Sequence, residues 1–195
     1  CFAAGTKITL ADGSEKNIIL SDYKQAAFEA TEYLIELGHS KICFVTQEYQ
    51  HVKSNNERFL GYTAALSKHN IPIDPALIQL WNRDTGFAKS VRDIMSELAP
   101  SAFFTQHLAI TAQLLTELEQ NKISIPDDVS VLGFDDIPMV DFFKVPITVV
   151  RQAPYVIGSE AAQMLLHNIE QPSIAAQRMM VACTLDKRLS CKQMA

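Results

Sequence analysis

Five side chains in this sequence are of the types that bind small polar molecules, and each follows an apolar run: Ser54, Arg58, Trp81, His107 and Asp135. A tryptophan ring packs well against the apolar side of a sugar or base ring. Ionised arginine and aspartate form strong hydrogen bonds of fixed geometry with hydroxyl groups or ring heteroatoms. If these side chains converge, they predict a binding site for a polyhydroxylated or planar polar ligand.

The elements that must position these residues are short apolar runs that alternate with amphipathic helices. Buried strands are predicted at KICFVT, SAFFT and VSVLGF, with a further strand at ALIQLW, which ends in Trp81, and a last strand around MMVACTL. Helical spacing of apolar residues predicts five helices, with Gly38 as the stop of the first. The apolar positions are Ala26, Ala30, Tyr33, Leu34 and Leu37; Phe59, Tyr62 and Leu66; Phe87, Val91, Ile94, Met95 and Leu98; Leu108, Ala112, Leu115 and Leu118; and Ile157, Ala161, Met164 and Leu165.

This alternation predicts an α/β fold with a doubly wound parallel sheet that helices cover on both faces. Ligands of such sheets bind beyond the carboxyl ends of the strands. Because the candidate residues follow strands, we expect them to share one edge of the sheet.

Composition excludes several other classes of protein. The chain has 195 residues, a formal net charge of −5 and no run of Lys or Arg, which argues against contact between this segment and phosphate backbones. Its four cysteines show no CxxC or Cys/His ligand spacing, so we expect no metal, no cofactor and free thiols in a reducing compartment. No apolar stretch is long enough to span a membrane.

An enzymatic role finds little support in the motifs. Asp135 and Asp136 are adjacent carboxylates, but sequence neighbours rarely lie on both sides of a scissile glycosidic bond. The sequence contains no GxSxG, no HExxH and no phosphate-binding glycine loop. We therefore expect a binding protein and no enzyme, with Asp136 as an acceptor at a turn or helix start.

Plainer roles stay open for three of the candidates. Trp81 fits a core position at the end of a strand. Arg58 fits a structural ion pair with Glu57 or Asp84. His107 fits a half-exposed loop position. Residue type and spacing do not decide between these roles and ligand binding.

Several longer segments carry a family resemblance: EATEYLIELGHSKICFV, SNNERFLGYTAAL, IPDDVSVLGFDD, VPITVVRQ, IGSEAAQMLL and LDKRLSC. In this order and spacing, from about Asn17 onward, they resemble the effector-binding core of LacI/GalR-family transcription regulators. That resemblance implies the type I periplasmic-binding-protein fold, with one lobe complete and the other partial.

The resemblance also implies a role for each candidate residue. Arg58 matches the arginine that holds the effector, and Ser54 matches a loop position that touches it. Trp81 falls where an aromatic ring stacks on the bound sugar or base, and Asp135 matches the carboxylate that binds hydroxyl or amine groups. His107 departs from the family, which usually has Asn or Asp there. The implied effector is a sugar or a related small polar molecule.

The implied lobes are unequal. Residues 21–150 and 183–195 form the C-terminal lobe, and residues 1–20 and 151–182 contribute part of the N-terminal lobe. The helix-turn-helix headpiece of the family is absent from the sequence. The resemblance therefore implies a cytoplasmic homodimer that contacts operator DNA only through that headpiece and does not contact membranes.

Two alternatives remain. A periplasmic sugar-binding protein of a transport system has the same fold, although no signal peptide is visible and the chain begins with Cys rather than Met, as expected for part of a longer protein. The opening CFAAGTKITLADGSEKNI resembles the first block of self-splicing inteins, but the chain lacks their His-Asn ending and all-β pattern. We assign these residues to the partial lobe and leave a foreign origin open.

Overall fold

A computed structural model describes residues 17–50, 52–136, 144–171 and 176–194. The strands in these ranges are β1 (Ile18–Ser21), β2 (Ile42–Thr46), β3 (Ile78–Asn82), β4 (Gly86–Phe87), β5 (Ala102–Thr105), β6 (Ser130–Phe134), β7 (Thr148–Arg151), β8 (Arg178–Val181) and β9 (Thr184–Asp186). The helices are α1 (Tyr23–Glu36), α2 (Lys53–Lys68), α3 (Val91–Asp93, continued by a π-helical turn, Ile94–Leu98), α4 (Leu108–Gln120) and α5 (Pro154–Glu170).

The strands form two sheets. The larger sheet has seven strands in the order β4-β3-β2-β5-β6-β7-β9, and the smaller pairs β1 with β8 in parallel. Pairing within the larger sheet is parallel from β3 to β7, and the edge strands β4 and β9 are antiparallel. The predicted α/β fold with a mainly parallel sheet is confirmed.

The larger sheet is buried on both faces because helices cover each one. In β2, Ile42 and Phe44 point into the core under α1 and α2. Cys43 and Val45 point into the core under α4 and the helical segment that begins at Val91. Every residue of β2, β5 and β6 is buried, which explains their continuous apolar sequences.

Helices α1 and α2 cross at Gly61. A Cβ atom there would lie 2.2 Å from the carbonyl oxygen of Lys24 and 2.9 Å from the Cβ of Ala27. The backbones of the two helices therefore approach more closely than any side chain at this position allows. Helix α1 ends as predicted, with Gly38 in the left-handed region at φ 90°.

Three details differ from the sequence prediction. Phe87 lies in the two-residue strand β4 and not in a helix. The run MMVACTL is divided between two strands of different sheets, β8 and β9, because the chain crosses from one sheet to the other at residues 182–183. Helix α4 buries Ile110, Thr111, Leu114 and Leu118, whereas the predicted face included Ala112, which is exposed.

Helix α5 packs beside β1 and leaves most of its apolar residues exposed. Among the described residues of this helix only Ile157 is buried, whereas Leu165, Leu166 and Ile169 are each at least 60% exposed. The assignment of residues 1–20 and 151–182 to a partial lobe remains a prediction. Residues 1–16, which include the intein-like segment, lie outside the described residues.

Residues 184–194 close the larger sheet. Strand β9 pairs with β7, and the Ser190 hydroxyl receives a hydrogen bond from the Thr148 amide at 2.8 Å. The Lys192 amide donates to Ser130 Oγ at 3.0 Å, and the Met194 amide donates to the Leu37 carbonyl at 2.7 Å. This segment therefore connects the edge of the sheet to the end of α1.

The close crossing predicts opposite effects for two glycine substitutions. Gly61→Ala should lower the free energy of unfolding by roughly 3 kcal/mol, because backbone atoms of α1 must move to admit the methyl group. Gly158→Ala in α5 is the matched control, since a Cβ atom added there would meet no atom within 4 Å beyond the backbone of its own helix, and it should add about 0.5–1 kcal/mol through helix propensity. Urea unfolding measures both. Equal effects of the two substitutions would contradict the close crossing.

Candidate functional site

The carboxyl ends of β2, β5 and β6 bring several predicted residues together, and Arg58 lies at their centre. Arg58 is only 6% exposed, on the first turns of α2. Its guanidinium carbon lies 4.3 Å from the ring centre of Tyr23 and 4.2 Å from that of Phe134. The alternative role of Arg58, an ion pair with Glu57 or Asp84, is not found among the described residues. Instead, the guanidinium forms cation–π contacts with these two aromatic rings.

The electrostatics of Arg58 connect it to Asp135. Burial lowers the pKa of Arg58, and the carboxylate of Asp135 is the largest opposing influence. Arg58 Nε is buried and has no hydrogen-bond acceptor among the described residues. It is therefore a donor that a ligand oxygen or ring nitrogen could satisfy.

Asp135 follows β6 directly and adopts a left-handed conformation with φ 72°. Its backbone N–H donates to the Val150 carbonyl at 2.8 Å. Its Oδ1 accepts a hydrogen bond of 2.5 Å from Nε2 of Gln152. Asp and Asn tolerate this backbone region better than other non-glycine residues. The carboxylate is thus held in one orientation at the sheet edge.

His107 caps α4 and belongs to the same charge group. Its Nδ1 accepts a 3.2 Å hydrogen bond from the Ala109 amide, so the neutral ring carries its proton on Nε2. Burial lowers the pKa of His107, the charge of Arg58 lowers it further, and Asp135 opposes the shift. His107, Arg58 and Asp135 therefore interact electrostatically, as expected if they line one site.

Trp81 is 5% exposed and packs within the core under α4. Its indole N–H donates to Gln113 Oε1 at 2.6 Å, and its ring meets the His107 ring edge-on at a centre distance of 5.4 Å. Trp81 is therefore a core residue in this structure, which was the alternative to ligand binding. Its predicted role in stacking on a ligand stays a prediction.

Ser54 lies one helical turn before Arg58 and lines a cleft between the smaller sheet and the first turns of α1 and α2. The cleft is lined by Leu20, Ser21, Tyr23, Lys24, Lys53, Ser54, Glu57, Arg178 and Met180. Tyr23 connects this cleft to Arg58, because the guanidinium covers its ring. Ser54 therefore shares the cleft with Tyr23, and its contact with a ligand stays a prediction.

Two glutamines of the site were not predicted. Gln106 follows β5, is fully buried, and its Oε1 accepts hydrogen bonds from Thr46 Oγ1 at 2.5 Å and from the Gln47 amide at 3.1 Å. Its Nε2 has no acceptor among the described residues. Gln152 follows β7. The rule that found Asp135, a polar residue directly after a buried strand, would have found both.

Asp136 has a different role from the predicted turn acceptor. It forms ion pairs with Arg151, at 3.3 Å, and with Arg188, at 3.0 Å. Both arginines also pair with Asp186 on β9. The four charges close a ring that ties the segment after β6 to the neighbouring strands β7 and β9. The enzyme alternative, in which Asp135 and Asp136 act together, is unsupported because their carboxylates have different partners.

Most of the chain matches a known domain family. Residues 31–191 match the periplasmic binding protein-like domain. The chain belongs to this family. None of the described helices is long and apolar enough to cross a membrane. The described residues also contain no group of His, Cys, Asp and Glu side chains that could hold a metal ion.

Two curated relatives of this periplasmic binding protein-like domain are repressors. The transcriptional repressor PurR of Vibrio parahaemolyticus is 30% identical over 161 residues, which are 82% of this chain and 48% of that protein. The ribose operon repressor of Escherichia coli K12 is 32% identical over 162 residues, again 82% of this chain and 48% of that protein. The chain thus spans about half the length of the curated relatives it matches.

A solved structure shows the same fold. The LacI family transcriptional regulator of Enterococcus faecium, with bound ribose, has a TM-score of 0.78 and 23% identity, over 92% of this chain and 67% of that chain. The predicted resemblance to LacI-type effector-binding cores is confirmed at the level of family and fold.

The lowered pKa of His107 predicts a pH dependence of stability. The unfolded histidine has an ordinary pKa of about 6.5, so below that pH the unfolded chain binds a proton that the folded chain resists. The free energy of unfolding should therefore fall as pH drops from about 7.5 to 5.5. His107→Asn keeps a capping acceptor and should reduce this slope, by at most about 1.4 kcal/mol per pH unit.

Urea unfolding at the two pH values measures the slope. His39 should leave a residual slope in the variant, because burial lowers its pKa in the same direction. Identical slopes in the wild type and in His107→Asn would show that His107 titrates normally in the folded chain.

Proposed function

We propose that this chain is the effector-binding core of a LacI-type DNA-binding transcription regulator, and that its effector is a sugar or a related small polar molecule. The observation that carries the proposal is the charge group at the carboxyl edge of the sheet. There, buried Arg58 and half-buried Asp135 combine a hydrogen-bond donor and an acceptor beside aromatic rings.

The chemistry of this edge suits a polyhydroxylated ligand. Each hydroxyl of a sugar is both donor and acceptor, so it can donate to Asp135 and accept from Arg58. Gln106 Nε2 offers a further buried donor. Hydrogen bonds to charged groups in a water-poor site contribute about 1.5–3 kcal/mol each, which is enough to select the ligand by its hydroxyl pattern. The ribose bound to the Enterococcus faecium regulator is a ligand of this class.

The regulator is favoured over a transport protein by the relatives, because the PurR and ribose operon proteins are both repressors. A regulator of this type would act in the cytoplasm as a homodimer and would contact operator DNA through a headpiece outside this sequence. Light scattering on the full-length protein tests the assembly. A strict monomer at micromolar concentration would favour the transport alternative.

Effector binding should depend on the carboxylate of Asp135. Asp135→Asn should raise the dissociation constant for D-ribose by roughly 30-fold, about 2 kcal/mol, because the charged acceptor is lost. Asp127→Asn is the matched control, since Asp127 is exposed and precedes the opposite end of the same strand β6. Isothermal titration calorimetry measures both constants. Similar losses in the two variants, or none in Asp135→Asn, would remove Asp135 from the site.

A further inference from the structure

Gln152 occupies the connection between β7 and α5, where the chain leaves the larger sheet, and both ends of its amide are bonded. Its Oε1 accepts hydrogen bonds from the Ser21 hydroxyl at 2.8 Å and from the Tyr23 hydroxyl at 3.2 Å. Its Nε2 donates to Asp135 Oδ1 at 2.5 Å. One side chain therefore joins the segment between β1 and α1 to the carboxylate at the sheet edge.

The chemistry of the partners fixes the direction of this amide. An ionised carboxylate only accepts hydrogen bonds, so the nitrogen of Gln152 must face Asp135. The oxygen then faces the two hydroxyls, which both can donate. Ser21 is 2% exposed, so water has little access to compete for its hydroxyl. A reversed amide would lose the bond to the carboxylate, because its oxygen would then face another acceptor.

Gln152 lies where the chain passes between the two sheets. Both segments that it joins, residues 21–23 and residues 152–153, run between the smaller sheet with α5 and the elements of the larger sheet. A third such segment contains Cys183, whose thiol interacts with Ser21 and whose pKa burial raises to about 11. A shift of residues 21–23 relative to residues 152–153 would therefore stretch a hydrogen bond of Gln152.

We propose that Gln152 is a positioning residue that fixes the orientation of the Asp135 carboxylate and couples it to the connections between the two sheets. This inference rests on the proposed function, in which Asp135 binds the effector. With Oδ1 bonded to Gln152, the other oxygen has no hydrogen-bond partner among the described residues and serves the ligand. The geometry of the connections thereby sets the affinity of the site.

The hydrogen bond between Gln152 and Asp135 can be tested without any ligand, by replacing the Gln152 amide with a carboxylate and the Asp135 carboxylate with an amide. Gln152→Glu keeps an acceptor for Ser21 and Tyr23 but places a second carboxylate against Asp135. At pH 8 the two charges repel, so the midpoint of thermal unfolding should fall below that of the wild type. At pH 5.5 the pair shares a proton and this difference should shrink.

The double variant Gln152→Glu/Asp135→Asn restores a donor opposite an acceptor, so at pH 8 it should unfold at a higher temperature than the sum of the single effects predicts. Gln163→Glu, at an exposed position on α5, is the control and should show neither the loss nor the rescue. Strictly additive effects in the cycle would overturn the inference, because they would show that the two side chains do not interact.

Titration with D-ribose tests the consequence for binding. Gln152→Met should raise the dissociation constant at least tenfold, and Gln163→Met should leave it unchanged. Weak binding in Asp135→Asn with wild-type affinity in Gln152→Met would overturn this inference and leave the proposed function intact. If the wild-type chain does not bind ribose, the proposed effector class loses support, and the unfolding cycle still decides the role of Gln152.

Discussion

The carboxyl edge of the sheet depends on one positive charge that is almost completely removed from water. Taking a guanidinium out of water costs several kcal/mol even after the protein relaxes around it. Arg58 recovers part of this from the faces of Tyr23 and Phe134, at about 2 kcal/mol for each desolvated cation–π contact, and part from the charge of Asp135. Since these partners lie on α1 and at the end of β6, Arg58 constrains the relative positions of three elements.

The sequence predicts well which strands position this site, because buried strands have continuous apolar sequences. Runs such as ICFVT and SVLGF are apolar throughout since both faces of the sheet are covered, and their ends mark where polar side chains must appear. The rule that ligands bind beyond the carboxyl ends of parallel strands then selects Arg58, His107 and Asp135. The structure brings these three into one electrostatic group.

The contacts inside the site could not be predicted in the same way. Gln106 and Gln152 follow strands as Asp135 does, but neither residue type nor spacing shows that the Gln106 amide is buried or that the Gln152 amide is oriented by its partners. Asp136 has the sequence context of a turn residue. Its actual partners, Arg151 and Arg188, are distant in sequence, so the ion pairs appear only in the folded structure. The buried face of α4 was misassigned because its sequence LAITAQLL is apolar on more than one face. Trp81 fits both a ligand site and a core, and only the fold shows that it is packed against α4.

The closing segment, residues 184–194, has a consequence for the order in which the protein folds. Strands β5, β6 and β7 each pair with a strand that is already synthesised, whereas β7 gains its second neighbour, β9, only after α5 and β8 have been made. Until then the edge of β7 offers unpaired backbone groups to any other strand. During translation this edge stays open until β9 has been synthesised, so nascent chains are exposed to mispairing in the interval between synthesis of β7 and synthesis of β9.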